Sequence, residues 1–277
     1  MYERIRVASL SIKPQKWNKQ FNSKKLEHYF IRAANTGVDL VVAPEGFLEG
    51  YLVNEIIKEP SLEQKIFDLA EPIDGPYIQK FKKLARRLNV AICFGFAEKK
   101  NDGIYNTAII INQNGDISGT YNKTQFAEGY NKKWRFNRIG RKIRAINTPF
   151  GRAGILICND RGNPRIARTL YMDGAQFFLI PTYGTRSKSQ NISVLERARE
   201  NGIQIVQANV GLALIIDKGE IIAYSRKIDS ILYGEINIPD SSSKILARDL
   251  EKQYLIEQKE KMHYRFLKSI KENRSIL

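Results

Sequence analysis

Pro149-Phe150-Gly151-Arg152-Ala153-Gly154-Ile155-Leu156-Ile157-Cys158-Asn159-Asp160-Arg161, residues 149–161, decides how the rest of the chain is read. From Gly154 to Ile157 no side chain is polar, the composition of a strand buried on both faces. Cys158 then runs straight into Asn159-Asp160-Arg161, a cluster poorly suited to ordinary core. A cysteine at the C-terminal tip of a strand is where a layered fold can present a nucleophile, so an enzyme working through a thiolate is expected.

Working outward, short apolar runs at 5–10, 40–43, 90–97, 107–111, 154–158, 177–180, 203–208, 212–216 and 231–236 read as strands. Helical stripes lie between them: Phe21, Leu26, Tyr29, Phe30 and Ala33; Ile78, Phe81, Leu84, Ala85 and Leu88; Ile166 and Leu170; Ile192, Leu195 and Ala198. Gly75-Pro76 suits a helix start, and Asn114-Gly115 and Lys218-Gly219 suit hairpin turns. This alternation predicts a layered α/β fold with helices over sheets. No Pro-, Gly- or Ser-rich linker divides the chain, so one domain is expected over residues 1–245. The Ser241-Ser242-Ser243 loop leads into a polar helical tail within 246–277. Its Leu250, Tyr254, Leu255, Tyr264 and Leu267 are placed to pack on a partner or back on the body.

A chain of 277 residues with 43% apolar content can bury a sizeable core. No stretch approaches the roughly 20 apolar residues of a membrane span, and the N-terminus lacks a signal segment, so a cytoplasmic protein is expected. Cys93 and Cys158 are too few for a disulfide scaffold or a cysteine zinc site, and His28 and His263 lie far apart, so no metal is expected. The formal charge of +16 offers attraction to nucleic acid or to anionic substrates. Its densest stretch, Lys132 to Arg144 with Trp134 and Phe136 interleaved, resembles a strand-binding surface, but no nucleic-acid recognition module accompanies it.

Two further ionisable residues stand at the ends of apolar structure, as Cys158 does. Glu45 follows Val41-Val42-Ala43-Pro44, and Lys123 follows Thr120-Tyr121-Asn122 after a hairpin. A carboxylate can take the thiol proton, while an ammonium favours the thiolate and the charge growing on a substrate oxygen. With no histidine in a suitable motif, Glu45 and Lys123 are the available base and electrophile. Each also has a plain structural reading: Pro-Glu as a helix cap, Tyr-Asn-Lys as a turn, Cys158 as small core.

In this order and setting, Val41-Val42-Ala43-Pro44-Glu45, Tyr121-Asn122-Lys123-Thr124 and Pro149 to Asp160 resemble the three motifs of the carbon-nitrogen hydrolase, or nitrilase-like, family. Arg197-Ala198-Arg199-Glu200-Asn201 followed by Gln207-Ala208-Asn209-Val210-Gly211 also resembles its downstream pattern. The resemblance implies a four-layer α-β-β-α sandwich and a catalytic triad of Glu45, Lys123 and Cys158, with the Asn159 backbone N–H at the oxyanion. It implies no cofactor, and a homodimer or larger homo-oligomer with the C-terminal helix crossing to a neighbour. Cys158-Asn159-Asp160-Arg161 with Pro164 is similar to the motif of N-carbamoyl-amino-acid hydrolases, in which the matching arginine holds a substrate carboxylate. Arg161 would do so here with two parallel hydrogen bonds, or would instead fix its own loop.

The chain departs from the family pattern at Gln125, where histidine is frequent, at Asn131, where a second glutamate is common, and at Asn163, where an aromatic is common. Glu128 is the candidate auxiliary carboxylate, orienting Lys123, or else a surface residue. Tyr51, Thr182 and Tyr183 are candidate walls of the substrate site. The expected activity is hydrolysis of an N-carbamoyl amino acid or small amide through a cysteine thioester. A dicarboxylic monoamide or neutral aliphatic amide is the alternative, and a non-catalytic scaffold or nucleic-acid binder the second alternative.

Overall fold

The computed structural model describes residues 3–184, 188–240 and 247–271. Twelve strands form two six-stranded sheets. The first has the order β12 (Ser230–Asn237), β1 (Arg4–Ser11), β2 (Leu40–Val42), β3 (Ala91–Lys100), β4 (Gly103–Ile111), β5 (Ile117–Asn122). The second runs β11 (Glu220–Ser225), β10 (Ala213–Asp217), β9 (Gln204–Asn209), β8 (Phe177–Thr182), β7 (Gly151–Ile155), β6 (Ile146–Thr148). Each has a parallel centre, β1-β2-β3 and β7-β8-β9, flanked by antiparallel strands.

Side-chain alternation explains the layering. Along β8, Phe177 and Leu179 face the other sheet, in one cluster with its Val7, Val42 and Cys93. Phe178 and Ile180 face outward and pack with Ile166 and Leu170 of α5 (Pro164–Met172) and Val194 and Ala198 of α6 (Lys188–Asn201). On the far side, Val41, Ile92 and Phe94 meet Leu26 and Phe30 of α1 (Lys19–Ala34) and Ile78 and Phe81 of α4 (Pro76–Leu88). Between these two helices come the short α2 (Val53–Lys58) and α3 (Glu63–Leu69). The result is the expected α-β-β-α sandwich, with strands apolar on consecutive residues because both faces are covered. Each large side chain buried this way contributes about 2–3 kcal/mol.

Some local expectations shift. Phe21 and Ile192 belong to predicted helical stripes but are 47% and 44% exposed. The β5 strand, which carries Lys123 at its end, has a weak sequence signal because its residues other than Tyr121 are only partly buried. Among the described residues no helix is long and apolar enough to cross a membrane. The basic stretch does not display its aromatics: Trp134 stacks on Phe136 at 4.9 Å, meets Phe266 edge-on at 5.0 Å, and Phe136 is buried. Ser241 to Leu246 lie outside the described residues. The tail helix, α7 (Ala247–Lys271), folds back over its own body and buries Tyr254, Gln258, Met262 and Phe266.

The two sheets bring the ends of β2, β5 and β7 to one crevice, the usual ligand position in such sheets. Gly95 in β3 makes this possible on the first sheet. A Cβ added there would lie 2.4 Å from the Gly46 nitrogen and 2.6 Å from the Glu45 Cα, so only glycine lets the Glu45 segment lie this close. Gly95→Ala is expected to cost about 1–3 kcal/mol of stability by overpacking, read as a lower denaturation midpoint, and to displace Glu45 enough to depress Cys158-dependent activity.

Candidate active site

Glu45 stands three residues beyond β2, Lys123 directly after β5, and Cys158 three residues beyond β7. Cys158 does not end a strand as expected: β7 stops at Ile155, and Cys158 opens a short 3-10 turn to Gly162 with its own φ at +47°. Left-handed backbone at a non-glycine residue is strained, and here it turns the side chain off the strand axis toward the crevice.

The Lys123 Nζ donates to Glu45 Oε1 at 2.6 Å, and the two residues are 1% and 0% exposed. Asn106 Nδ2 donates to the same oxygen at 2.8 Å, and the Tyr183 N–H donates to Oε2 at 3.0 Å. The Cys158 thiol faces the Tyr183 carbonyl oxygen at 3.8 Å, on the same residue whose N–H donates to Glu45, and it feels the Glu45 charge. One peptide segment thus touches both base and thiol. Burial and the Glu45 charge push the Cys158 pKa up, while Lys123 and Arg161 pull it down. For Lys123, burial disfavours the charged form, but the carboxylates of Glu45, Glu128 and Asp160 and the Cys158 sulfur outweigh it, so the ammonium is held strongly. A neutral thiol beside a carboxylate–ammonium pair is ready to give up its proton as it attacks.

Glu128, offered by the sequence as auxiliary or surface residue, is buried, 4% exposed, and accepts a hydrogen bond from Asn137 Nδ2. Burial raises its pKa and Lys123 opposes this, so it shares the ammonium's field with Glu45. Arg161 is also buried; its Nη1 donates to the Cys158 carbonyl at 2.9 Å and to Thr182 Oγ1 at 3.1 Å. Beneath it Arg197 Nη1 donates to the Arg161 carbonyl at 3.0 Å, and Arg197 Nε meets Glu200 at 2.7 Å. The downstream helix therefore supports the cysteine turn. Tyr51 stacks on Tyr183 with centroids 4.6 Å apart, and the Lys16 ammonium lies over both rings. Thr182 ends β8 under this wall; Thr185 lies outside the described residues.

The departures from the family pattern meet one another. Asn163 Nδ2 donates to Gln125 Oε1 at 2.9 Å, and Gln125 Nε2 donates to the Asn159 carbonyl at 3.2 Å. Asn131 is occupied with its own turn, accepting from Lys133 N.

Three participants escaped the sequence reading. Asn106 sits inside β4 between Tyr105 and Thr107, where nothing in spacing marks it. Asp160, fully buried, accepts from the backbone N–H groups of Ile157 and Gln125 at 2.9 and 2.8 Å, and burial lifts its carboxyl to about 6. Glu49 accepts from the Ala97 N–H at 2.8 Å, and burial lifts it to about 7. Glu49 and Asn106, with Tyr51, Ile104 and Phe136, line a cavity of about 30 Å³.

The chain matches the carbon-nitrogen hydrolase family over residues 6–244, and it belongs to that family. It is 32% identical to a citrullinase of Francisella tularensis over 168 residues, covering 60% of this chain and 57% of that protein. It is 29% identical over 198 residues to an N-carbamoylputrescine amidase of Oryza sativa, covering 70% of this chain and 62% of that protein. Both matches thus span less than two thirds of the relative. Its fold is that of an amidase from Nesterenkonia, with a TM-score of 0.72 at 20% identity over 92% of this chain and 97% of that one.

Glu45 raises the Cys158 pKa and Lys123 lowers it, so substitutions at the two should act in opposite directions. Alkylation of Cys158 by iodoacetamide, followed by mass spectrometry across pH, should move to lower pH in Glu45→Gln and to higher pH in Lys123→Met. Superimposable profiles would show that the three groups do not share a field.

Proposed function

We propose that this chain hydrolyses the carbon–nitrogen bond of a small amide through a thioester on Cys158. The carrying observation is the convergence of Glu45, Lys123 and Cys158, from three separated segments, in one buried crevice. Glu45 accepts the thiol proton as sulfur attacks the carbonyl carbon. Charge on the oxygen is met by the Lys123 ammonium and the Asn159 N–H, which lies in the first turn of the 3-10 segment, where backbone donors lack acceptors within the turn. The tetrahedral intermediate collapses as Glu45 returns the proton to the leaving nitrogen, releasing ammonia. Water, deprotonated by Glu45, then attacks the thioester; the acid leaves and the thiol is restored. Glu128 adds negative charge that favours the Lys123 ammonium, and Asn106 with the Tyr183 N–H keeps the Glu45 carboxylate aimed.

A neutral aliphatic amide fits better than an N-carbamoyl amino acid. Arg161, the residue that would hold a carboxylate, is 3% exposed and donates to the Cys158 backbone and Thr182, which supports a role in bracing the turn. The wall presented by Tyr51 and Tyr183 is aromatic. The Nesterenkonia amidase of similar fold carries an acetamide moiety covalently bound at its active-site cysteine in one variant, and another variant was solved with butyramide. Carbamoyl compounds are the second reading, favoured by the names of the citrullinase and N-carbamoylputrescine amidase relatives.

Ammonia release should be measured on acetamide, butyramide and N-carbamoylglycine with Cys158→Ala as control. Release from the neutral amides that disappears in Cys158→Ala is expected; absence of release from every substrate would refute the reading. Arg161→Lys should depress turnover of neutral and carboxylate-bearing substrates alike, by about tenfold or more if the turn shifts. A loss confined to the carboxylate-bearing substrate would instead restore Arg161 as its binding group.

A further inference from the structure

The family region ends at residue 244, yet the helix beyond it reaches the residue next to Lys123. Thr124, the residue after Lys123, is fully buried and bonded on every polar atom. Its N–H and Oγ1 both approach Asp160 Oδ1 at 3.3 Å, and Tyr121 OH shares a hydrogen bond with Oγ1 at 3.0 Å. From α7, Tyr254 OH lies 3.3 Å from Thr124 Oγ1, and Gln258 Nε2 donates to the Thr124 carbonyl at 3.3 Å. Tyr254 and Gln258 are four residues apart and so project from one face of the helix. Both are nearly inaccessible, at 2% and 4% exposure.

Asp160 extends the connection. Its other oxygen accepts from the Ile157 N–H at 2.9 Å, beside Cys158. One buried carboxylate therefore joins the Lys123 segment to the cysteine turn, and α7 closes this joint from outside. The helix also grips the segment carrying Glu128. Tyr130 N donates to the Met262 carbonyl at 3.1 Å, and a Cβ on Gly129 would lie 2.9 Å from the Phe266 nitrogen. Phe126, Tyr130, Ile139 and Met262 complete an apolar cluster there.

We propose that α7 is a positioning element of the active site, acting through Tyr254 and Gln258 on Thr124, and through it on Lys123 and Cys158. This rests on the Glu45–Lys123–Cys158 reading above. Lysine has a long, mobile stem, so where its ammonium rests depends on how firmly its backbone is held. A displacement of about 1 Å at a reacting group can cost about a hundredfold in rate.

The test is the full-length pair Tyr254→Phe and Gln258→Ala, singly and combined, with Tyr264→Ala on the outer face, where Tyr264 is 69% exposed, as control. Phenylalanine keeps the packing and removes only the hydroxyl. The combined variant should lose about tenfold in kcat on a neutral amide while KM stays within about twofold, and its Cys158 alkylation profile should shift along pH. Tyr264→Ala should match wild type. An unchanged kcat and unchanged alkylation in the folded double variant would overturn the proposal, as would losses that merely track its unfolded fraction by circular dichroism. If wild type releases no ammonia from any amide but alkylation still responds to the double variant, the amidase reading fails and the tether stands.

Discussion

Everything at this site hangs on one buried ion pair, Glu45 with Lys123 at 2.6 Å, held where neither side chain reaches solvent. Taking two such charges out of water costs several kcal/mol each unless geometry and added hydrogen bonds offset it. Asn106 and the Tyr183 N–H supply those bonds to the carboxylate, and Glu128 and Asp160 supply further negative charge around the ammonium. The pair acts on the thiol beside it in two opposite senses: its carboxylate disfavours the thiolate and its ammonium favours it.

Around that pair the chain is built for rigidity. The left-handed cysteine turn is braced by Arg161, which is braced by Arg197, which is held by Glu200 on α6. Asp160 ties the same turn to the backbone of Gln125, and Gln125 with Asn163 ties it again through the Asn159 carbonyl. Strain at Cys158 can persist because these contacts over-determine the turn.

The charge of the molecule and the charge of its interior have opposite character. Among described buried residues, Glu45, Glu49, Glu71, Glu98, Glu128, Asp160, Asp173 and Glu251 outnumber Lys123, Arg161 and Arg197. With the acids drawn inside, the surface is more basic than the formal +16 conveys, and that net charge says little about what enters the crevice. The same separation explains the basic stretch, whose Trp134 and Phe136 are spent on internal packing beneath solvated lysines.

What the sequence by itself determined were the layers, and it marked Glu45, Lys123 and Cys158 as the candidates that the fold brings to one crevice. Strands apolar on consecutive positions, such as Phe177 to Ile180, require cover on both faces, and the motifs place Glu45, Lys123 and Cys158 at the edges of apolar structure, although Cys158 proves to lie three residues beyond its strand. Those are properties of local pattern, which survives without knowledge of neighbours. Glu128 was visible but could not be placed, because burial depends on the path of the whole loop around it. Asn106, the contact of Arg161 with Thr182, the Gln125–Asn163 pair and the grip of Tyr254 and Gln258 on Thr124 were decided only by tertiary structure. Each joins residues from separate elements, up to 134 positions apart for Gln258 and Thr124, and hydrogen bonds of that kind leave no periodicity in the chain that makes them.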